Sequence, residues 1–418
     1  MAMRPMAAKP TPLYKRNLIV LWFGSFFTGA GISLVVPFIP LFIDTLGDFT
    51  HQELSFYSGL VVASAFFFMA IMAPFWGSLA DRHGRKLILL CSSSGMAITM
   101  AAIGFVTNVW ALLALRSIYG LVSGFIANSV ALMAVQTPRE ESGKVMGTLN
   151  TAGVGGALVG PLIGGTLVPL IGYAHLFWVT GAIIGLIFFV TLIFVKEDSV
   201  PGQKGQKGQK QSAREVFAGV SNMQLIIGMF FTTLMISVAN STSNPILSLY
   251  VREILPAGGN VEFWSGVAAA APGVVTIIAA PQLGALGDKI GTNKILVAGL
   301  LLQILVFLPM AFVTSIWQLV VLRLVLGVSN ASLMPSVQAI LTQMSPKWAT
   351  SRIFSFNQSA NSVGFVLGPL IGAAISGMLA FKYVFFAGIA FSLANLVVVW
   401  RVNRKVRDTD RDRKRERE

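Results

Sequence analysis

The chain has 418 residues, 55% of them hydrophobic and 11% charged, with a formal net charge of +14. Soluble domains carry roughly 25% charged residues, so this composition excludes a single water-solvated core and calls for lipid as solvent. The basic excess does not read as a nucleic-acid footprint, because Lys and Arg fall in short segments between apolar runs of roughly 20 residues, the length that crosses a bilayer. The single cysteine, Cys91, leaves no internal disulfide and the three His residues offer no ligand spacing, so neither metal nor cofactor is expected.

In chain order, the first apolar run follows a polar, basic stretch from Met1 to Arg16 that lacks a small-residue cleavage site, so it is expected to stay as a helix. Six helices are predicted near Asn17 to Ile43, Leu54 to Leu79, Leu87 to Val106, Trp110 to Val135, Val145 to Leu170 and His175 to Val195. Six more are predicted near Met223 to Tyr250, Phe263 to Leu286, Ile295 to Val313, Trp317 to Met344, Ile353 to Leu379 and Tyr383 to Trp400. The expected organisation is a six-helix bundle over 1–195, a Gly- and Lys-rich tether over 196–220 containing GQKGQKGQK, a second bundle over 221–402 and a charged tail over 403–418. Alternate loops, counted from the N-terminus, hold 27 of the 31 Lys and Arg residues. The positive-inside rule then places both termini in the cytoplasm. Only Arg252 and Lys382 fall in the opposite loops, and only Arg116 and Arg323 fall inside spans.

The two halves repeat. NVWALLALRSIYG, with Trp110, Arg116 and Gly120, returns as SIWQLVVLRLVLG, with Trp317, Arg323 and Gly327, 207 residues later. Pro74, Gly77, Asp81 and Asn150 return at the same spacing as Pro281, Gly284, Asp288 and Asn357, and GALVGPLIGG returns as GFVLGPLIGA one residue further along. Duplicated bundles of this kind rock about a site near the bilayer midplane.

Three segments carry mechanism. The loop Gly77, Ser78, Leu79, Ala80, Asp81, Arg82, His83, Gly84, Arg85, Lys86 combines a tight turn at its glycines with Asp81, which can cap a helix N-terminus, and Arg85, which can pair with a carboxylate such as Glu141. Such a cluster can latch one conformation; the bland alternative is an anchor on the basic face. Arg116 lies about two turns into its span, where a central Arg costs about 2.5–3.5 kcal/mol, so a compensating function is expected unless it snorkels or bonds to carbonyls. For Arg323 the snorkelling alternative weighs as much as a functional one. The small residues Gly156, Gly160, Gly164 and Gly165 allow backbone-to-backbone packing, and Pro161 removes one hydrogen bond so that the helix can bend.

The loop at 77–86 matches the GxLADRxGRK signature of the major facilitator superfamily, and the whole length resembles its drug:proton antiporter branch. The resemblance implies an all-α membrane fold of twelve helices in two pseudo-symmetric bundles, working as a proton-driven exporter of drug-like amphiphiles. It also implies that Arg116 and Gly120, as an RxxxG motif, serve proton coupling, and that residues 156–165 match the GxxxGPxxGG exporter signature. A bacterial cytoplasmic (inner) membrane location and a monomer are expected. None of the 17 acids falls near a helix centre, so the proton carrier is sought first at Asp44, at the outer mouth, and at Asp81, in the latch. The same absence predicts preference for neutral or anionic substrates over lipophilic dications. Polar candidates for the cavity are Thr28, Ser33, Asn128, Asn150, Asn240, Asn244, Arg323, Asn357, Gln358 and Asn361, each with interhelical bonding as its plainer role. A sugar or metabolite exporter is the rival within transport, and a transporter-like receptor or scaffold the rival outside it. No GxxxxGK[ST] loop or nucleophile–base constellation supports an ATP-driven pump or an enzyme.

Overall fold

The computed structural model describes residues 13–138, 141–197, 223–256, 258–345 and 350–415, and all regular structure among them is helical. Apart from Lys196 and Glu197, the expected tether at 196–220 lies outside these residues. α1 (Leu13–Val35) runs through a 3-10 turn (Val36–Phe38) into α2 (Ile39–Asp44), followed by α3 (His51–His83), α4 (Arg85–Ile103), α5 (Val109–Val122), α6 (Phe125–Gln136) and α7 (Ser142–Phe194). α8 (Met223–Ser241) runs through a second 3-10 turn (Asn244–Ile246) into α9 (Leu247–Ile254), followed by α10 (Val261–Ile290), α11 (Thr292–Met310), α12 (Ile316–Met344), α13 (Thr350–Met378) and α14 (Lys382–Arg415).

Eleven helical runs among the described residues are long and apolar enough to cross a membrane. The longest, α7, has 53 residues, about 80 Å of helix at 1.5 Å per residue against a hydrocarbon layer of about 30 Å. It is interrupted at Gly172, whose φ of 79° and ψ of 166° leave the helical region. That interruption falls between the helix ends expected at Leu170 and His175. Three further expectations are refined. The helix expected from Asn17 to Ile43 and the one from Met223 to Tyr250 each turn through a 3-10 segment carrying a proline, Pro37 and Pro245. The helix expected from Trp110 to Val135 is two pieces, α5 and α6, separated at Ser123 and Gly124.

Helices up to Phe194 pack mainly on one another, through α1 on α7, α4 on α7 and α3 on α5. Those from Met223 onward do the same, through α10 on α12, α8 on α13 and α11 on α12. The groups meet along two lines, α3 against α13 and α7 against α10. Each line is tight at the end bearing Asp44 and Arg252 and splayed at the end bearing Asp81 and Asp288. Along α3, Gly59 lies against Ala373 and the Pro369 carbonyl, Phe66 stacks on Phe365 at 5.3 Å between ring centroids, and Gly77 has nothing within 4 Å of a side-chain position. Along α7 and α10, Gly266 abuts the Pro161 carbonyl and Gly165 the Glu262 carbonyl, while Gly143, Gly147 and Gly284 are likewise open. The two 3-10 turns face each other across the closed end.

Candidate functional site: a central seam with two gates

At the splayed end, α3 and α4 join at Gly84, whose φ of 96° favours glycine, and the repeat sets Gly291 at φ 104° in the matching joint between α10 and α11. The Arg85 guanidinium bonds back to Asp81 at 3.2 Å, one turn earlier. The free N-terminus of α4 is closed by Glu197, whose carboxylate accepts from the Arg85 and Lys86 amides, both at 2.9 Å. This corrects two expectations: Glu197, not Asp81, caps the neighbouring helix, and Arg85 pairs with Asp81, not Glu141. Glu141 instead lies beside the Tyr14 hydroxyl. The reason is geometric, since Glu197 sits where α7 ends beside α4, and two amides at a helix N-terminus hold a carboxylate through both hydrogen bonds and the helix dipole. Lys86 donates to the Leu192 carbonyl at 2.9 Å, while Arg82 is exposed. Glu197→Gln is expected to cost about 1 kcal/mol, the usual worth of a cap, seen as a lower unfolding temperature in detergent that Glu141→Gln does not reproduce.

At the closed end, three polar ties join the two groups of helices. Arg252 donates to Asp44 at 2.6 Å, Tyr173 donates its hydroxyl to Glu262 at 3.0 Å, and His51 Nε2 lies 2.9 Å from the Ser376 carbonyl. Because a carbonyl only accepts, that His51 nitrogen carries the proton. Arg252, Tyr173, Glu262 and His51 were not singled out from sequence, although Arg252 is one of only two basic residues in the loops opposite the termini.

Between the gates, the polar candidates divide. Thr233 donates to Asn357 at 2.7 Å, Ser237 to Asn361 at 2.6 Å, and Gln303 to Asn240 at 3.0 Å, so these three asparagines bind neighbouring helices. Asn128 donates to the Gly124 carbonyl at 2.9 Å, and Ser33 to the Ala30 carbonyl at 3.2 Å, where its hydroxyl abuts Gly160. Thr28 is buried with its hydroxyl unpartnered. Asn150 and Gln358 are exposed, and Asn244 begins the second 3-10 turn. Alongside α1, Trp22 stacks on Phe26 at 5.6 Å and donates to Thr151 at 3.3 Å, an aromatic strip that a search for polar residues passes over.

The exporter-signature glycines of α7 pack on α1 and the turn after it: Gly156 against the Phe26 carbonyl, Gly160 against the Ala30 carbonyl, and Gly164 against the Leu34 carbonyl and Phe38. Gly165 and the Pro161 carbonyl turn to α10 instead. Arg116 is 1% exposed, with Nε and Nη1 lacking hydrogen-bond partners and the guanidinium 5.5 Å from the Tyr119 ring centre. Arg323, its repeat counterpart, donates to Ser243 at 3.3 Å beside the second 3-10 turn. Neither arginine snorkels to the surface.

The Major Facilitator Superfamily model matches residues 21–255 and 229–418. The chain is 47% identical over 387 residues, 93% of each chain, to the multidrug resistance protein MdtG of Serratia proteamaculans. It is 44% identical over 406 residues, 97% of this chain and 99% of the relative, to MdtG of Escherichia fergusonii. Among solved structures it resembles an inward-facing, unoccupied bacterial homolog of the human lysosomal transporter Spinster (TM-score 0.78, 13% identity, 95% of this chain and 98% of that one) and the nucleoside transporter NupG (0.73, 15%, 93% and 98%). The fold, the segment at 77–86, the paired arginines and this near full-length similarity lead to one conclusion: the chain is a multi-pass membrane transporter and belongs to the Major Facilitator Superfamily.

Proposed function

We propose that the protein is a multidrug efflux transporter of a bacterial inner membrane, exporting amphiphilic compounds by proton antiport. On this reading α7 contributes two spans divided at Gly172, which makes twelve spans in two six-helix halves, 1–195 and 221–402, with both termini and the Asp81 end in the cytoplasm. The protein acts as a monomer, and the splayed end is an inward-facing mouth. The observation that carries the reading is the seam, bonded at the Asp44 end and unpacked at the Asp81 end, which is the asymmetry alternating access requires. The 44–47% identity to MdtG proteins supports the drug class.

Asp44, Asp81 and Arg116 are the proposed proton-coupling groups, the Asp81–Arg85 joint with Gly77, Gly84 and Lys86 the inner latch, and Asn150 and Gln358 the exposed polar contacts left for substrate, while Thr28 is buried in this state. Asp44, Asp48, Glu53, Asp81, Glu141, Glu197, Glu253, Glu262 and Asp288 all lie at helix ends or in loops. No described carboxylate therefore lies midway along a span to offset a cationic substrate. Reconstituted in proteoliposomes, the protein is expected to move neutral or anionic amphiphiles at least about tenfold faster than matched lipophilic dications, a difference of roughly 1.4 kcal/mol. Flux is expected to stop when an uncoupler collapses the proton gradient. Faster flux of dications would refute the substrate class, and flux that survives the uncoupler would refute antiport.

A further inference from the structure

The interruption between α5 and α6 is built from other helices, and it has no counterpart in the second half. Ser123 is extended (φ −72°, ψ 112°) and Gly124 has φ −157°, ψ −2°, which leaves carbonyls and amides without helical partners in mid-span. The Trp76 indole of α3 donates to the Leu121 carbonyl at 2.7 Å. The Ser92 hydroxyl of α4 donates to the Val122 carbonyl at 2.7 Å and accepts from the Gly124 amide at 2.8 Å, so one side chain bridges both sides of the gap. In lipid an unpaired backbone group is costly, so these two side chains are what lets the helix stay open there.

The repeat supplies an internal control. At the 207-residue spacing, Trp76 becomes Leu283, Ser92 becomes Gly299, Gly124 becomes Ala331 and Asn128 becomes Pro335. There α12 is continuous from Ile316 to Met344. Ser329 donates to the Gly299 carbonyl at 2.9 Å, and a cavity of ≈110 Å³ remains beside Leu283, Ala331 and Pro335, the counterparts of Trp76, Gly124 and Asn128. Trp76 immediately precedes Gly77, the first residue of the latch segment 77–86, expected as a loop but helical on either side of Gly84, and α5 carries Arg116. One indole thus connects the latch-bearing end of α3 to the helix holding the buried cation.

We propose that the Ser123–Gly124 gap is a one-sided hinge set by Trp76 and Ser92, through which the state of the latch reaches the Arg116 helix. The second half moves without such a joint. Trp76 and Ser92 are positioning residues, acting through α5 and not on substrate. This inference rests on the alternating-access part of the proposed function and not on the substrate assignment.

The test reads opening of the Asp44 end without any drug. In a Cys91→Ala, Ala373→Cys background, the new thiol replaces a residue 2% exposed against Gly59, and its labelling by a membrane-impermeant maleimide reports opening. Asp81→Asn is expected to change the labelling rate by about tenfold, within the usual range of coupling between sites. In Trp76→Phe, which keeps the ring and loses the N–H, or in Ser92→Ala, the same change is expected to shrink below about threefold. Leu283→Phe should leave it intact. Additive effects of Trp76→Phe and Asp81→Asn, an equal effect of Leu283→Phe, or no effect of Asp81→Asn in the parent would each overturn the proposal, since a merely structural tryptophan gives additivity. In the unmodified protein, amides 121–126 are expected to exchange hydrogen at least about tenfold faster than amides 328–333, a comparison that needs no variant. Equal rates would also overturn it. Loss of drug efflux alone would refute the substrate assignment and leave this test standing.

Discussion

Arg116→Met is expected to unfold at a higher temperature than the parent while moving drug about 100-fold more slowly. The guanidinium is 1% exposed, two of its nitrogens have no hydrogen-bond partner, and its contact is the face of Tyr119 at 5.5 Å. A buried cation so poorly compensated costs about 2.5–3.5 kcal/mol in a span, of which a desolvated ring returns about 2 kcal/mol. Methionine keeps the stem and removes the charge, so the folded protein gains. The loss of transport follows if the cation is retained for coupling, where a factor of roughly 100 lies at the upper end of measured couplings between sites. Arg323→Met serves as the comparison: Ser243 already answers one of its nitrogens at 3.3 Å, so a smaller gain in stability is expected. Thermal unfolding in detergent, set beside proteoliposome flux, checks both halves. A less stable Arg116→Met with normal flux would mean that the arginine is a structural strut.

Which parts were legible from sequence follows from what local residues decide. A span declares itself by about 20 apolar residues, and the repeat of Arg116 at Arg323 and of Gly156 at Gly364 was visible as text. Breaks within spans were not. Ser94–Gly95 and Ser123–Gly124 are the same dipeptide, yet the first stays inside α4 and the second ends α5. The difference lies in Trp76 and Ser92, on other helices, which accept the cost of open backbone groups. Likewise Pro37 and Pro245 each lead a 3-10 turn, whereas Pro74, Pro161 and Pro272 sit within α-helices. A proline removes a donor in either setting, and tertiary packing decides the outcome.

The candidate site shows the same limit. The Asp81–Arg85 pair is one helical turn apart and therefore readable, while the Glu197 cap joins residues more than a hundred positions apart and could not be told from Glu141 by composition. The cavity asparagines failed to stand out for a related reason. In lipid, an amide side chain takes whatever hydroxyl the neighbouring helix offers, as Asn357 and Asn361 do from Thr233 and Ser237. A polar residue in a span therefore marks a helix contact at least as often as a substrate contact.

Gly156→Ala is expected to be among the most damaging single methyl additions to the described helices, and Gly155→Ala, one residue away, close to neutral. A methyl at Gly156 runs into the Phe26 carbonyl and comes within 2.8 Å of the Ala30 amide nitrogen, so two backbones must part along the α1–α7 contact. Overpacking of this kind costs about 1–3 kcal/mol or more when neither partner can yield. At Gly155 the same methyl meets only the Phe26 ring at 3.6 Å, ordinary contact, and alanine recovers up to about 1 kcal/mol of helix propensity. The pair thus separates packing from propensity in unfolding temperature alone. Nearer the start of α7, Gly147 has nothing within 4 Å of its side-chain position, so Gly147→Leu should leave the stability of this state unchanged. If the splayed end closes during transport by bringing α7 and α10 together, the same leucine must then obstruct, and flux should fall by about tenfold or more at unaltered unfolding temperature. Undiminished flux through Gly147→Leu would mean that the two helices never meet at that end, and the rocking motion about the seam would have to be given up.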